Sequence, residues 1–255
     1  MKSHKMNLCQ FAIFLVAGFF TQTAMAQTTI YYLTPSSNVQ AAVNTASSGD
    51  TLVFTNGTGG SYTAQVVTIN KDLTLIGGSG SRPVISAMGA ASVFVISSGV
   101  EVSMEYLEIE DADGQAGVVN NGTLTLDDCW VRDNIGLFGG IANLGGDLTL
   151  IDCDIFSNRS PSLGGGVTNA GGQVDASGNH IHLNVGYLGG GLHNSFGTAN
   201  LTSNLFYNNH ANSLGGGYSN HNIGGVVNSS GDSFTGNSAT SCPMLYDVNL
   251  SPSCQ

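Results

Sequence analysis

Basic residues are scarce in this 255-residue chain: six Lys and Arg stand against 17 Asp and Glu, for a formal net charge of −11. Such a surface repels nucleic acid and anionic membranes, so neither is an expected partner. It also argues against an anionic polysaccharide, whose carboxylates would find few cations to meet. Charge of either sign is thin, at 9% of residues. Disorder does not follow, because 41% of residues are hydrophobic and they recur periodically. A long apolar run occurs only near the start, where Lys2 and Lys5 precede Phe11 to Phe20 and then Ala24-Met25-Ala26. That pattern predicts a secretory signal peptide over residues 1–26; the polar break from Thr21 to Thr23 is wrong for a transmembrane helix. Cleavage would leave four basic residues against 17 acids, a net of −13. The expectation is an exported protein, secreted or at the cell surface, with no membrane-spanning segment after signal removal.

Cysteine is also sparse. Cys9 falls in the signal, leaving Cys129, Cys153, Cys242 and Cys254. An oxidising compartment permits disulfides, and a Cys242–Cys254 bridge around a short Pro-containing segment is expected to clamp the last turn. Cys129 and Cys153 share a column of the repeat described next, and for them a bridge and a free stacked pair both remain open.

What is abundant is repetition. Five copies open on a small-residue strand ending in Asn, at Asn120, Asn143, Asn169, Asn194 and Asn220, and close on a second Asn, at Asn134, Asn158, Asn184, Asn209 and Asn237. The steps between opening Asn residues are 23, 26, 25 and 26, a period of stacked structural units. Three before each closing Asn stands Val131, Ile155, Ile181, Phe206 or Phe234, an apolar column suited to a core. Units this short cannot bury an apolar face alone, and like residues returning once per unit point to coiled parallel strands about 4.8 Å apart. The predicted fold is all-β: a single-stranded right-handed parallel β-helix, a solenoid, with an N-terminal capping helix. Its helical pattern places Val39, Ala42, Val43 and Ala46 on one face, with Ser36 or Ser37 as cap and Gly49 as stop. Residues 27–255 form one domain: cap and first turns over 27–116, five regular repeats over 117–237 and a C-terminal cap over 238–255. In the first turns, Val102, Met104, Leu107 and Ile109 alternate with Glu101, Glu105, Glu108 and Glu110, so the carboxylates are expected to face outward. The Asn columns are expected to pass amide hydrogen bonds from turn to turn, and the Gly-Gly pairs before each opening strand to supply unusual corner angles.

The Gly-Gly-aliphatic words (Gly139-Gly140-Ile141, Gly165-Gly166-Val167, Gly190-Gly191-Leu192) with Phe206 to Asn209 and Phe234 to Asn237 resemble the polymorphic outer membrane protein repeat of bacterial surface adhesins. The stretch with Val39 to Val43, Gly49 to Leu52 and Ile69 to Gly77 resembles the N-terminal region of the pectin-lyase-like β-helix superfamily. In three repeats Val131, Ile155 and Ile181 replace the Phe, and the first lacks Gly-Gly. The first resemblance implies an adhesin-like or glycan-binding protein, a monomer whose partner is a polysaccharide or a host- or cell-surface component. The second implies an alternative: a polysaccharide lyase, which combines acid-bound Ca²⁺ with a basic residue, or a glycoside hydrolase, which needs several convergent carboxylates with a His and a basic residue.

Two sets of residues bear on that choice. Asp128 and Asp152 share a column before the two Cys and, with Asp154 and Asp127, form an acidic cluster. Asp128, Asp152 and Asp154 are the candidate Ca²⁺ ligands; the favoured alternative is exposed turn acids repelling weakly through water. No other cofactor is expected. Arg132 heads an outward column continued by Phe156, His182, Tyr207 and Thr235, and the first four are the candidate ligand-binding residues. As a lyase base Arg132 would need strong help against its high pKa, and Arg159 is less well placed. Histidines at 180, 182, 193, 210 and 221 fall in different columns, with only His180 and His182 sharing a strand, so zinc is not expected. A non-catalytic binding surface is therefore preferred.

Overall fold

A computed structural model of the chain describes residues 28–55, 61–221 and 224–247. The expected signal peptide and the Cys254 end of the expected disulfide lie outside them. The described chain coils into three long parallel sheets. The first holds nine strands, from Ile30–Leu33 through Asp50–Phe54 to Val226–Ser230. The second holds eight, from Tyr62–Thr63 to Ser233–Thr235, and the third eight, from Val67–Ile69 to Leu245–Asp247. One coil shows the path. Thr123–Asp127 lies in the first sheet, Trp130–Arg132 in the second, Ile135–Gly136 in a short fourth position and Ile141–Leu144 in the third; Asp147–Ile151 then returns to the first, parallel to Thr123–Asp127. Parallel strands joined by such crossovers wind right-handedly. The predicted right-handed parallel β-helix is the observed fold.

Alternation builds the core. Leu124 and Leu126 pair with Leu148 and Leu150 in the first sheet, and Val131, Ile155, Ile181 and Phe206 stack in the second, all buried. Each apolar residue meets its counterpart one coil away, so a single sequence choice fills a column.

The corners explain much of the remaining sequence. Between first and second sheets, Tyr106, Asp128, Asp152, Gly178, Ser203 and Gly231 all adopt positive φ. Directly after the second-sheet strands, Asp111, Asp133, Ser157, Leu183, Asn208 and Gly236 do the same, as does Met88 two residues after Val84–Ser86. Asp and Asn tolerate this left-handed conformation better than most side chains. The Asp128 and Asp152 column is therefore a corner column. Of the Gly-Gly pairs expected to supply unusual corner angles only Gly139 does, at φ +75. The rest are set by close approach: a Cβ on Gly140 would meet Asn158 and the Gly166 carbonyl at 2.8 Å, one on Gly165 the Gly190 carbonyl at 2.5 Å and one on Gly190 the Gly216 carbonyl at 2.5 Å.

Both Asn columns are buried corner ladders. Each Nδ2 donates to the Oδ1 one coil on, from Asn120 to Asn143, Asn169, Asn194 and Asn220 at 2.8–3.0 Å. Asn134, Asn158, Asn184, Asn209 and Asn237 form the second series at 3.0–3.1 Å. A third ladder, Asn179 to Asn204 to Asp232, continues the Cys129 and Cys153 column. The two thiols are free and buried.

At the start, helix Val39–Thr45 buries Val39 and Val43 against the coil. Its cap is Asn38, whose side chain accepts from Ala41 N, rather than Ser36 or Ser37; Ser37 Oγ instead accepts from Thr34 N. The helix ends at Thr45, before Gly49, and Lys71 Nζ donates to the Ala46 carbonyl at 2.7 Å. Gln40 pairs with both N and O of Thr68, standing in for a missing neighbour strand of the third sheet. At the other end, Ser238–Ser241, across a register shift, and Leu245–Asp247 pair parallel to the preceding coil, so the coil runs past Asn237 into the segment expected as a cap.

Candidate functional site

The outer face of the second sheet carries a row of aromatic side chains in register. One column runs Val84, Glu108, Trp130, Asp154, His180, Leu205 and Ser233. Its neighbour runs Ser86, Glu110, Arg132, Phe156, His182, Tyr207 and Thr235. The sequence column from Arg132 to Thr235 is thus one continuous row.

Its middle is a stack of rings. Phe156 and His182 lie parallel with centroids 5.1 Å apart, and His182 and Tyr207 at 4.4 Å. Trp130 meets Phe156 edge-on at 6.2 Å. Stacked rings cover one another's faces, so most of the row presents edges to solvent. The exception is its end, since the next rung after Tyr207 is the small Thr235. There a groove of about 320 Å³ opens, lined by Leu205, Phe206, Tyr207, Asn208, Ser233 and Thr235. Asp154 Oδ1 sits 2.8 Å from His182 Nε2. Burial, with the Asp154 charge second, raises the pKa of the Tyr207 phenol and keeps it protonated.

Arg132 is not a ring-stacking arginine. Its guanidinium is bound by Glu108, Glu110 and Asp133. Burial alone would lower its pKa, but the Asp133, Glu108 and Glu110 carboxylates outweigh burial and raise it, so Arg132 stays charged. Glu108, expected on an open outward face, is buried beneath this contact. Burial pushes the Glu110 carboxyl up, with Asp111, Glu108 and Asp133 adding repulsion and Arg132 opposing.

The arginine that does lie over aromatic rings is Arg82, unnoticed in the sequence. Its guanidinium carbon is 4.3 Å from the Tyr106 ring centroid and 4.8 Å from that of Trp130, and it salt-bridges Asp128 Oδ1 at 2.9 Å. The available signal was register: Arg82 precedes Val84 by two residues, and Val84 heads the column that reaches Trp130 one coil past Glu108.

The three candidate Ca²⁺ ligands are not brought together. Asp128 pairs with Arg82 and Asp154 with His182, while a Cβ on Gly178 would strike Asp152 Oδ1 at 2.2 Å, placing that carboxylate over the next corner. Among the described residues no group of three or more His, Cys, Asp or Glu is arranged to hold a metal. The reason is geometric: Asp128 and Asp152 project from corners, Asp154 from a strand.

No protein-family model matches the sequence, and the curated proteins hold no match to it. Fold and site together define a parallel β-helix protein with an aromatic, acidic outer face. Among solved structures it is similar to the crystal structure of pectate lyase Pel9A, at 16% identity and a TM-score of 0.49, covering 80% of this chain and 69% of that one.

Proposed function

We propose that this chain is an exported, non-catalytic β-helix protein that binds glycans at the cell surface through the outer face of its second sheet. The observation that carries it is the end of the ring column. The uncovered side of Tyr207 borders a groove whose lining includes Asn208, Ser233 and Thr235. A pyranose takes such a site well, its apolar face on the ring and its hydroxyls on short polar side chains. Phe156 and His182 hold the Tyr207 ring in place from the other side. A panel of immobilised glycans tests this directly. Retention without turnover is expected, with Tyr207→Ala weakening it at least about tenfold, the loss of one stacked ring. Equal retention by Tyr207→Ala refutes this face as the site.

One observation favours catalysis as a second reading: the raised Glu110 carboxyl beside Glu108, a pair of acids with different environments. Release of reducing ends from any panel member, abolished by Glu110→Gln, would establish a glycoside hydrolase. Lyase chemistry fits less well, because Arg132 is locked in its charged form by three carboxylates and cannot abstract a proton.

A further inference from the structure

The charge of this face points to its ligand: we propose that the glycan it takes bears protonated amines, as a polymer of amino sugars with free amino groups does. The inference rests on the glycan-binding reading above and adds the chemical class of the sugar.

Four carboxylates, Glu108, Glu110, Asp133 and Asp154, stand on or beside the ring row, and the one guanidinium among them, Arg132, is shared by the first three. With neutral histidines the cluster carries three net negative charges. Asp154 is bonded to the same His182 that stacks on Tyr207, two coils before the groove rung at Leu205. The other basic residues are engaged or placed elsewhere. Arg82 is held between Tyr106, Trp130 and Asp128. Lys71 donates to the Asn44 and Ala46 carbonyls at the helix end. Arg159 bridges Ile135 and Val185 at the fourth strand position, off this sheet, and forms no salt bridge with a described residue.

A chain of uronic acids laid along the rings would bring its carboxylates against Glu110, Asp133 and Asp154 with no free cation to meet them. A neutral chain gains only stacking and hydrogen bonds. A chain of ammonium-bearing sugars gains those and places positive charge beside Asp154 and the surplus carboxylates around Arg132. An amine donates up to three hydrogen bonds, which suits acceptor-only carboxylates.

The test is titration of the full exported chain with three oligosaccharides of equal length: an N-acetylglucosamine oligomer, its de-N-acetylated counterpart and an oligogalacturonate, at near-neutral pH and low salt. The de-N-acetylated oligomer is expected to bind about tenfold more tightly than the acetylated one, equivalent to ~1.4 kcal/mol. The oligogalacturonate is expected to bind weakest. Near 1 M salt, where the screening length falls to about 3 Å, the ratio should approach one. Asp154→Asn keeps an oxygen for His182 and should lower the ratio about two- to threefold; should that variant fail to fold, the salt series on the unaltered protein carries the same test. Equal or tighter binding of the neutral oligomer, or preference for the oligogalacturonate, overturns the charge assignment and leaves the glycan-binding reading standing. Retention of none of the three, and of nothing in the wider panel, overturns both.

Discussion

Replacing Asn184 by Asp tests whether the buried ladders are held by their donors as much as by their acceptors. Asn184 Nδ2 donates to the Ile155 carbonyl at 2.8 Å and to Asn209 Oδ1 at 3.1 Å. Its Oδ1 accepts from Asn158 N at 3.0 Å and from Asn158 Nδ2 at 3.1 Å. An aspartate keeps the second pair and reverses the first: a carboxylate oxygen would face two oxygens, fully buried, with no cation in the column. A buried polar group left unmatched costs about 1–3 kcal/mol, more when charged, so the substitution should cost ~3–5 kcal/mol. For a domain of this size that lowers Tm by roughly 6–20 °C. The protein contains its own control. Two ladders end in Asp: Asn220 donates to Asp247 at 2.9 Å and Asn204 to Asp232 at 2.8 Å. Among the described residues no rung follows those two, so an acceptor alone suffices there. Asp232→Asn gives up only the Oδ2 that accepts from Ser229 Oγ and Ser230 N at an exposed turn, and should cost no more than about 1 kcal/mol. Urea unfolding followed by far-ultraviolet circular dichroism measures both. If Asn184→Asp lies within ~1 kcal/mol of the parent, the account of the ladder is wrong.

Other consequences follow from burial and close approach. His193 is enclosed on the outer side of the third sheet, and burial, with His221 second, lowers its pKa to about 4. The unfolded chain therefore takes a proton near pH 6.5 that the folded chain refuses, and stability falls as pH drops from 6.5 towards 4, by up to ~3 kcal/mol. In His193→Gln, thermal melts across that window should lose most of this dependence. Burial pushes the Cys129 thiol up to about 12 and the Cys153 thiol also upward, so neither should react with iodoacetamide in the folded protein; in denaturant mass spectrometry should find both labelled. Gly140→Ala drives a Cβ to within 2.8 Å of Asn158 and of the Gly166 carbonyl, whereas Gly145, at φ +79, has nothing within 4 Å of the same atom. The first should cost well over ~2 kcal/mol and the second only about 1–2, the left-handed penalty; equal losses in urea midpoints would contradict the packing argument.

What the sequence made legible is what register repeats. The Asn columns, the apolar column from Val131 to Phe234 and the outward row from Arg132 to Thr235 recur at one position per coil, so aligning the copies was equivalent to building the stack. What it hid depends on contacts between columns, or on turns before the period becomes regular. Arg82 belongs to an early, irregular turn, yet bonds a corner 46 residues away. Glu108 reads as an outward carboxylate by alternation, and is outward, but the three-armed hold on Arg132 buries it. The backbone accounts for the acidic pair at Asp128 and Asp152: both occupy a corner that takes positive φ in six successive coils, from Tyr106 to Gly231, where Asp is among the tolerated residues. That reassignment moves the chemistry. Once the corner acids are structural, the carboxylates left to explain are Glu108, Glu110, Asp133 and Asp154, which alternation and corner placement scatter over three positions in the sequence and which the second sheet gathers around one row of rings. A surface that collects acids beside stacked aromatics, and ties one arginine to three of them, keeps negative charge along that row. On the glycan-binding proposal the question this surface poses is one of ligand charge, and comparing sugars that differ in charge and in little else tests it.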